Sequence, residues 1–229
     1  MNPFAKWWWW TLDYVAAAVG QLRGWRLRVI PEAYSSGDAS LPVVVLIPGV
    51  YERWGFLGTL AAALNSRGYR ILVVPALKDN RIEVTAAASL VRSAIRDAGP
   101  DRYVIVGHSK GGLIGKAVLT AGVVGANLVG LVAIATPFAG SAYARYLPGR
   151  TLRGLAPDDA TIAALASELD ANRRIVSIQP RFDPHIPGDR TLEGAEVVTL
   201  AASGHFRVLG HHATVEAVAD ALRRLEHTG

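Results

Sequence analysis

The chain has 229 residues, 51% of them hydrophobic, with no cysteine and a formal net charge of +5. That length fits one domain with a substantial core, the composition excludes a disordered chain, and the lack of cysteine excludes a disulfide scaffold or a thiolate metal site. The basic residues are scattered, apart from pairs such as Arg173-Arg174 and Arg223-Arg224, so they read as a solvated surface and no nucleic-acid partner is expected.

Residues 1–25 form a tryptophan-rich extension, set apart from a domain over residues 26–229. Lys6 precedes Trp7-Trp8-Trp9-Trp10, and the small apolar run Val15 to Val19 follows. The stretch is too short for a membrane span and is interrupted by Asp13. Asp13 also argues against a secretory signal, while Ala16-Ala17-Ala18 leaves secretion open beside a cytoplasmic or membrane-peripheral location. Four consecutive helical residues lie about 100° apart, so these tryptophans girdle a helix rather than form one stripe. Such a girdle suits the water–lipid boundary, with Lys6 facing anionic head groups, and predicts a peripheral membrane contact through Trp7, Trp8, Trp9 and Trp10. The competing reading docks the segment on the domain or on a second subunit; the oligomeric state stays open.

From residue 26 short apolar runs alternate with helical stretches. Leu27-Arg28-Val29-Ile30 reads as an edge strand and Val43 to Ile47 as a strand buried on both faces. Helical spacing covers Phe56 to Leu64, stopping near Gly68. Ile71 to Val74 is a strand closed by Pro75, Ile82 to Ile95 a helix, and Tyr103 to Val106 a strand. A helix over Leu113 to Leu119 and a strand over Leu128 to Ala135 come next. Phe138 to Pro157 breaks the rhythm with aromatics, glycines and arginines, and reads either as a short lid or pocket wall, too small for a cap domain, or as a plain surface connection. A helix over Asp158 to Leu169, strands at Ile175 to Ile178 and Val197 to Leu200, and a closing helix over Thr214 to Leu225 complete the chain. This alternation predicts an α/β fold, a mostly parallel sheet with helices on both faces.

The strongest chemical signal is Gly107-His108-Ser109-Lys110-Gly111, directly after a buried strand. G-x-S-x-G on a strand-to-helix turn is a nucleophile elbow: the strained serine projects its hydroxyl above the sheet, and only very small residues fit two positions either side. A serine needs a base, and the base an acid, in the chain order serine, acid, histidine. The acid belongs in the loop after Ile175 to Ile178, which points to Asp183, with Asp189 the competitor. The base belongs after the last strand, which points to His205. His211 and His212 read as helix-start residues, His185 as a pocket residue, and His108 as pointing away from Ser109. The oxyanion donors are expected to be the backbone N–H groups of Lys110 and, after Pro48-Gly49, of Val50, with Tyr51 the alternative. Tyr51 and Phe138 are the expected pocket residues. No metal or cofactor is expected.

Pro48-Gly49, His108-Ser109-Lys110-Gly111-Gly112, Thr136-Pro137-Phe138-Ala139-Gly140-Ser141, Asp183-Pro184 and Gly204-His205 together resemble the α/β-hydrolases. The likeness is to small bacterial lipases and esterases of the triacylglycerol-lipase type, and it covers about residues 40 to 225. The chain departs from that pattern with Pro48 and Phe138 where such lipases carry histidine, and Lys110 where they carry Met or Gln. The resemblance implies hydrolysis of a carboxylic ester, small-molecule or lipid, through an acyl-enzyme, without naming the ester. Alternatives are a non-catalytic binding domain of the same fold, or action on thioesters, amides or lactones.

Overall fold

The computed structural model describes residues 3–27, 29–121, 127–146, 149–187 and 190–228. Its frame is six strands: β1 (Val43–Ile47), β2 (Ile71–Val73), β3 (Tyr103–His108), β4 (Leu128–Ile134), β5 (Ile175–Pro180) and β6 (Glu196–Leu200). They pair in the order β2-β1-β3-β4-β5-β6, every neighbour parallel. The uninterrupted apolar runs follow from this, since a parallel sheet is covered on both faces. Successive side chains of a strand point to opposite faces, so β1 feeds two cores. Val44 and Leu46 pack with α2 (Gly58–Asn65) and α7 (His212–Thr228). Val43, Val45 and Ile47 pack with α3 (Val84–Ala98), α4 (Lys110–Thr120) and α6 (Ala160–Ser167). Leu46 is fully enclosed, and truncating such a leucine to alanine costs about 2–5 kcal/mol.

Helix ends explain most boundary differences. The α3 stripe of Val84, Ala87, Ala88, Val91 and Ile95 has helical spacing, and the helix runs on to Gly99, whose φ of +59° supplies a left-handed cap. The next helix, α6, starts two residues later than Asp158 because the Asp159 side chain accepts from Thr161 N and fixes the cap there. Between β4 and α6 lie a 3-10 turn, Ala142–Tyr146, and a one-turn helix α5 (Arg150–Arg153).

One predicted strand is corrected. Leu27, Val29 and Ile30 belong to no strand, and Arg28 lies outside the described residues. A long helix, α1 (Pro3–Arg26), precedes them; its last turn is extended by a bond from Leu27 N to Arg23 O. The Leu27 side chain then lies against Gly55 and Gly58, while Val29 and Ile30 are exposed with no strand alongside. α1 itself lies against the turns Trp54–Leu57 and Arg207–Gly210. Gly20 sits over the Phe56 ring, where a Cβ would come within 2.4 Å of it, so the small residue sets the approach.

The chain runs from β1 outward to β2, then returns to place β3 on the other side of β1. Such a reversal leaves a crevice at the carboxyl ends of β1 and β3. Ile47 and Gly107 are register partners there, which brings the loop after β1 beside the turn after β3.

Candidate active site

Ser109 alone separates β3 from α4, with φ +52° and ψ −120°. A non-glycine residue in such a conformation costs on the order of 1–3 kcal/mol and persists only where its surroundings enforce it. Close packing enforces it here. A Cβ on Gly107 would lie 2.5 Å from the Gly111 carbonyl, and one on Gly111 would lie 2.1 Å from the Ile47 carbonyl oxygen.

The loop after β6 brings His205 back over this turn. His205 Nε2 lies 2.9 Å from Ser109 Oγ, and His205 Nδ1 lies 2.9 Å from Asp183 Oδ2. The other Asp183 oxygen accepts from the amides of His185 (2.8 Å) and Ile186 (3.0 Å), a clamp built by the turn that follows β5. All three residues are buried. Burial alone would raise the Asp183 carboxyl, but the charge and hydrogen bond of His205 and the His185 amide outweigh it and hold it below the usual carboxylate range. With Asp183 ionised, Nδ1 of His205 is the protonated nitrogen and Nε2 is free to accept from the serine hydroxyl. The competitor Asp189 lies outside the described residues. His211 accepts from Ala213 N at the start of α7, and His212 pairs with Glu216 on its surface.

Lys110 N is the first amide of α4, so no intrahelical carbonyl is placed to accept it. Across from it the Gly49 amide is taken by Glu52 Oε2 at 2.6 Å, and Val50 lines the same cavity as Ser109. Tyr51 has a φ of +62°, and its carbonyl accepts from Gln21 of α1 at 2.6 Å. The Lys110 side chain turns away, donating to the carbonyls of Asn80 and Ile82, while Asn80 donates to Pro48 O at 2.7 Å. The loop after β1 is thus braced from below. Burial lowers the Lys110 ammonium to about 8.

Beside Ser109 and His205 opens a cavity of about 530 Å³ with mostly apolar walls. Phe56, Leu155 and Phe206 line it, and α1 contributes Trp10, Tyr14 and Ala17. Tyr51 is at its rim, half exposed, with the Arg81 guanidinium 5.6 Å over its ring. Phe138 does not line it, which corrects its expected pocket role: the ring is enclosed in the core beneath, 5.9 Å from the buried Lys116 ammonium, and Pro137 faces the cavity instead. His185 is a lining residue, its ring 5.1 Å from that of His205.

The fold of this chain has solved counterparts. A Bacillus licheniformis lipase in mature form superposes with a TM-score of 0.61 at 14% identity, covering 81% of this chain and 94% of that one. The monoacylglycerol lipase of Paleococcus ferrophilus gives 0.58 at 17%, covering 82% and 96%. Mouse α/β hydrolase domain-containing protein 10 gives 0.59 at 17%, covering 84% and 91%. The chain has the α/β-hydrolase fold. Neither a family model nor a curated protein sequence matches it.

In this hydrolase fold two buried acids escaped the sequence reading. Glu52 sits between the Gly49 amide and His108 Nδ1, which lies 2.9 Å from Glu52 Oε1. His108 Nε2 faces the carbonyl of His205 at 3.0 Å. Both ring nitrogens of His108 thus face oxygens, those of the Glu52 carboxyl and of the His205 carbonyl. Burial alone would lower the His108 imidazole, but the Glu52 charge and hydrogen bond raise it above the ordinary value. Asp13 of α1 is fully enclosed, and its Oδ1 accepts from Phe206 N (2.8 Å) and Arg207 N (2.9 Å). The available signal was a lone acid in an otherwise apolar helix, which buries only where partners wait for it.

Proposed function

We propose that the protein is a serine hydrolase of carboxylic esters. The observation that carries this reading is the unbroken chain from Ser109 Oγ through His205 to Asp183, 2.9 Å at each link, at the wall of an apolar cavity. Ser109 Oγ attacks the ester carbonyl carbon as His205 Nε2 takes its proton, and the ionised Asp183 stabilises the resulting imidazolium. The carbonyl oxygen becomes an oxyanion facing the amides of Val50 and Lys110, each such donor contributing roughly 3 kcal/mol to the transition state. Collapse of the intermediate breaks the ester C–O bond, and His205 returns the proton to the leaving alcohol. Water, deprotonated by the same nitrogen, then attacks the acyl-Ser109 and releases a carboxylic acid. The cavity suits an acyl chain rather than a polar substrate.

A lipid surface is the source of that ester. Trp8, Val15, Val19, Leu22 and Trp25 of α1 are all exposed. Trp8, Val15, Val19 and Leu22 fall along one side of the helix at 3.6 residues per turn. Trp10, by contrast, faces the cavity; the side chains of Trp7 and Trp9 lie outside the described residues. Arg23 and Arg26 close the helix, and its single acid, Asp13, is buried. No described helix is long and apolar enough to cross a membrane, so the helix would lie along the surface.

The test is turnover of p-nitrophenyl esters from acetate to palmitate by the wild type and Ser109→Ala. The reading predicts hydrolysis abolished in Ser109→Ala and a preference for acyl chains beyond acetate. Hydrolysis unaffected by Ser109→Ala would overturn it.

A further inference from the structure

The N-terminal helix, set apart from the domain by its sequence, reaches the peptide that follows the catalytic histidine. That peptide group, between His205 and Phe206, is held at both ends by buried side chains. Its carbonyl oxygen faces His108 Nε2 at 3.0 Å, and its N–H donates to Asp13 Oδ1 at 2.8 Å. The next amide, Arg207 N, donates to the same Asp13 oxygen at 2.9 Å. Before the histidine, Gly204 has a φ of +109°, and a Cβ there would come within 2.6 Å of Asp13 Oδ1. The other oxygen, Oδ2, lies 3.4 Å from His185 Nε2, and the His185 ring sits against that of His205. His185 N in turn donates to Asp183.

We infer that Asp13 is a positioning residue of the active site: with His108 it fixes the His205–Phe206 peptide plane, so that the imidazole lies between Ser109 and Asp183. The inference rests on the reading of those three residues as the catalytic triad. The physical reason is lever length. A histidine side chain swings with its backbone, and both of its bonds are near 2.9 Å. A small rotation of the peptide breaks one to keep the other, and misplacement of about 1 Å can cost on the order of a hundredfold in rate. Among the described residues β6 is the edge of the sheet, so the direction of the loop that follows it is set by what touches it. Asp13 lies 192 residues earlier in the chain (205 − 13) and is fully enclosed at 0% exposure. Helix α1 also donates from Gln21 to the Tyr51 carbonyl in the loop that carries Val50. One helix therefore steadies both the base and the oxyanion loop.

The test uses the full chain with Asp13→Ala, Asp13→Asn and Asp13→Glu, and Ser109→Ala in parallel. A fluorophosphonate counts reactive serines, so that kcat on a soluble short-chain ester is expressed per labelled site. Asp13→Ala should label to completion but more slowly, with kcat lowered about tenfold or more and KM within about twofold. Asp13→Asn keeps an acceptor for both amides and should recover most of the rate. If Asp13→Ala does not fold, Asp13→Glu decides: it keeps the charge but shifts the acceptor by one methylene, and should lower kcat per site. Unchanged kcat per site in whichever of these two variants folds, with Ser109→Ala unlabelled, overturns the inference and leaves the triad standing. Labelling that persists in Ser109→Ala overturns the triad and this inference with it.

Discussion

At the scale of single residues, the site depends on groups whose charge is set by enclosure. Asp183 holds its ionised form against burial because His205 and two amides face it. Asp183→Asn should therefore lower kcat by at least about a hundredfold with the fold intact, since the amide would donate to Nδ1 and leave Nε2 protonated. Asp189→Asn should leave it near wild type; the reverse pattern in steady-state assays would reassign the acid. Lys110 gives a second handle. Its folded value of about 8 lies below the ordinary 10.5, so between these values the unfolded chain binds more protons and stability rises with pH. Relative to Lys110→Met, the wild type should gain thermal stability between pH 8 and 10, and melting curves across that range would expose a flat difference. The convergence of Ser109, Asp183 and His205 was legible in the sequence because strand ends and chain order confine the choices. The contacts of Glu52, His108 and Asp13 were not, because Glu52 and His108 meet across two separate loops and Asp13 meets amides at the far end of the chain, contacts that no local pattern encodes.

At the scale of elements, strands and amphipathic helices were readable from periodicity alone: β1 spans Val43–Ile47 as expected, and the buried face of α3 is its apolar stripe. The edge strand expected at Leu27 to Ile30 came from a short apolar run, and among the described residues Leu27, Val29 and Ile30 pair with no strand. What decided there was tertiary contact, the seating of α1 on the turn Trp54–Leu57. That seat is specific at Gly20, where the Phe56 ring occupies the space a side chain would need. Gly20→Leu should lift the helix. The expected cost is about 1–3 kcal/mol of stability from overpacking. Because Trp10, Tyr14 and Ala17 wall the cavity, hydrolysis of long-chain esters should fall more than that of acetate. Chemical denaturation and the ester series measure the two effects, and a variant with unchanged chain-length preference would remove α1 from the cavity wall.

At the scale of the molecule, α1 has two faces with different partners. Its inner face holds the loops that follow β1 and β6, and its outer face leaves Trp8, Val15, Val19 and Leu22 exposed. From Trp8 to Leu22 the helix rises about 21 Å at 1.5 Å per residue, and exposed apolar side chains in a row along that length mark an interaction surface. Burying one such side chain in a lipid surface is worth roughly 1.5–3 kcal/mol, and every 1.4 kcal/mol or so is a tenfold change in partition. The double variant Val15→Glu/Leu22→Glu should therefore cut pelleting with anionic vesicles by at least about tenfold. It leaves the inner face untouched, so turnover of a soluble short-chain ester should stay within about twofold. High salt should weaken wild-type binding only in part, because the basic residues contribute a screened term and the apolar stripe does not. Equal pelleting of the two proteins would remove the lipid surface as the partner of this face. Self-association of the wild type without vesicles, seen by ultracentrifugation and lost in the double variant, would assign the stripe to a second copy of the chain instead.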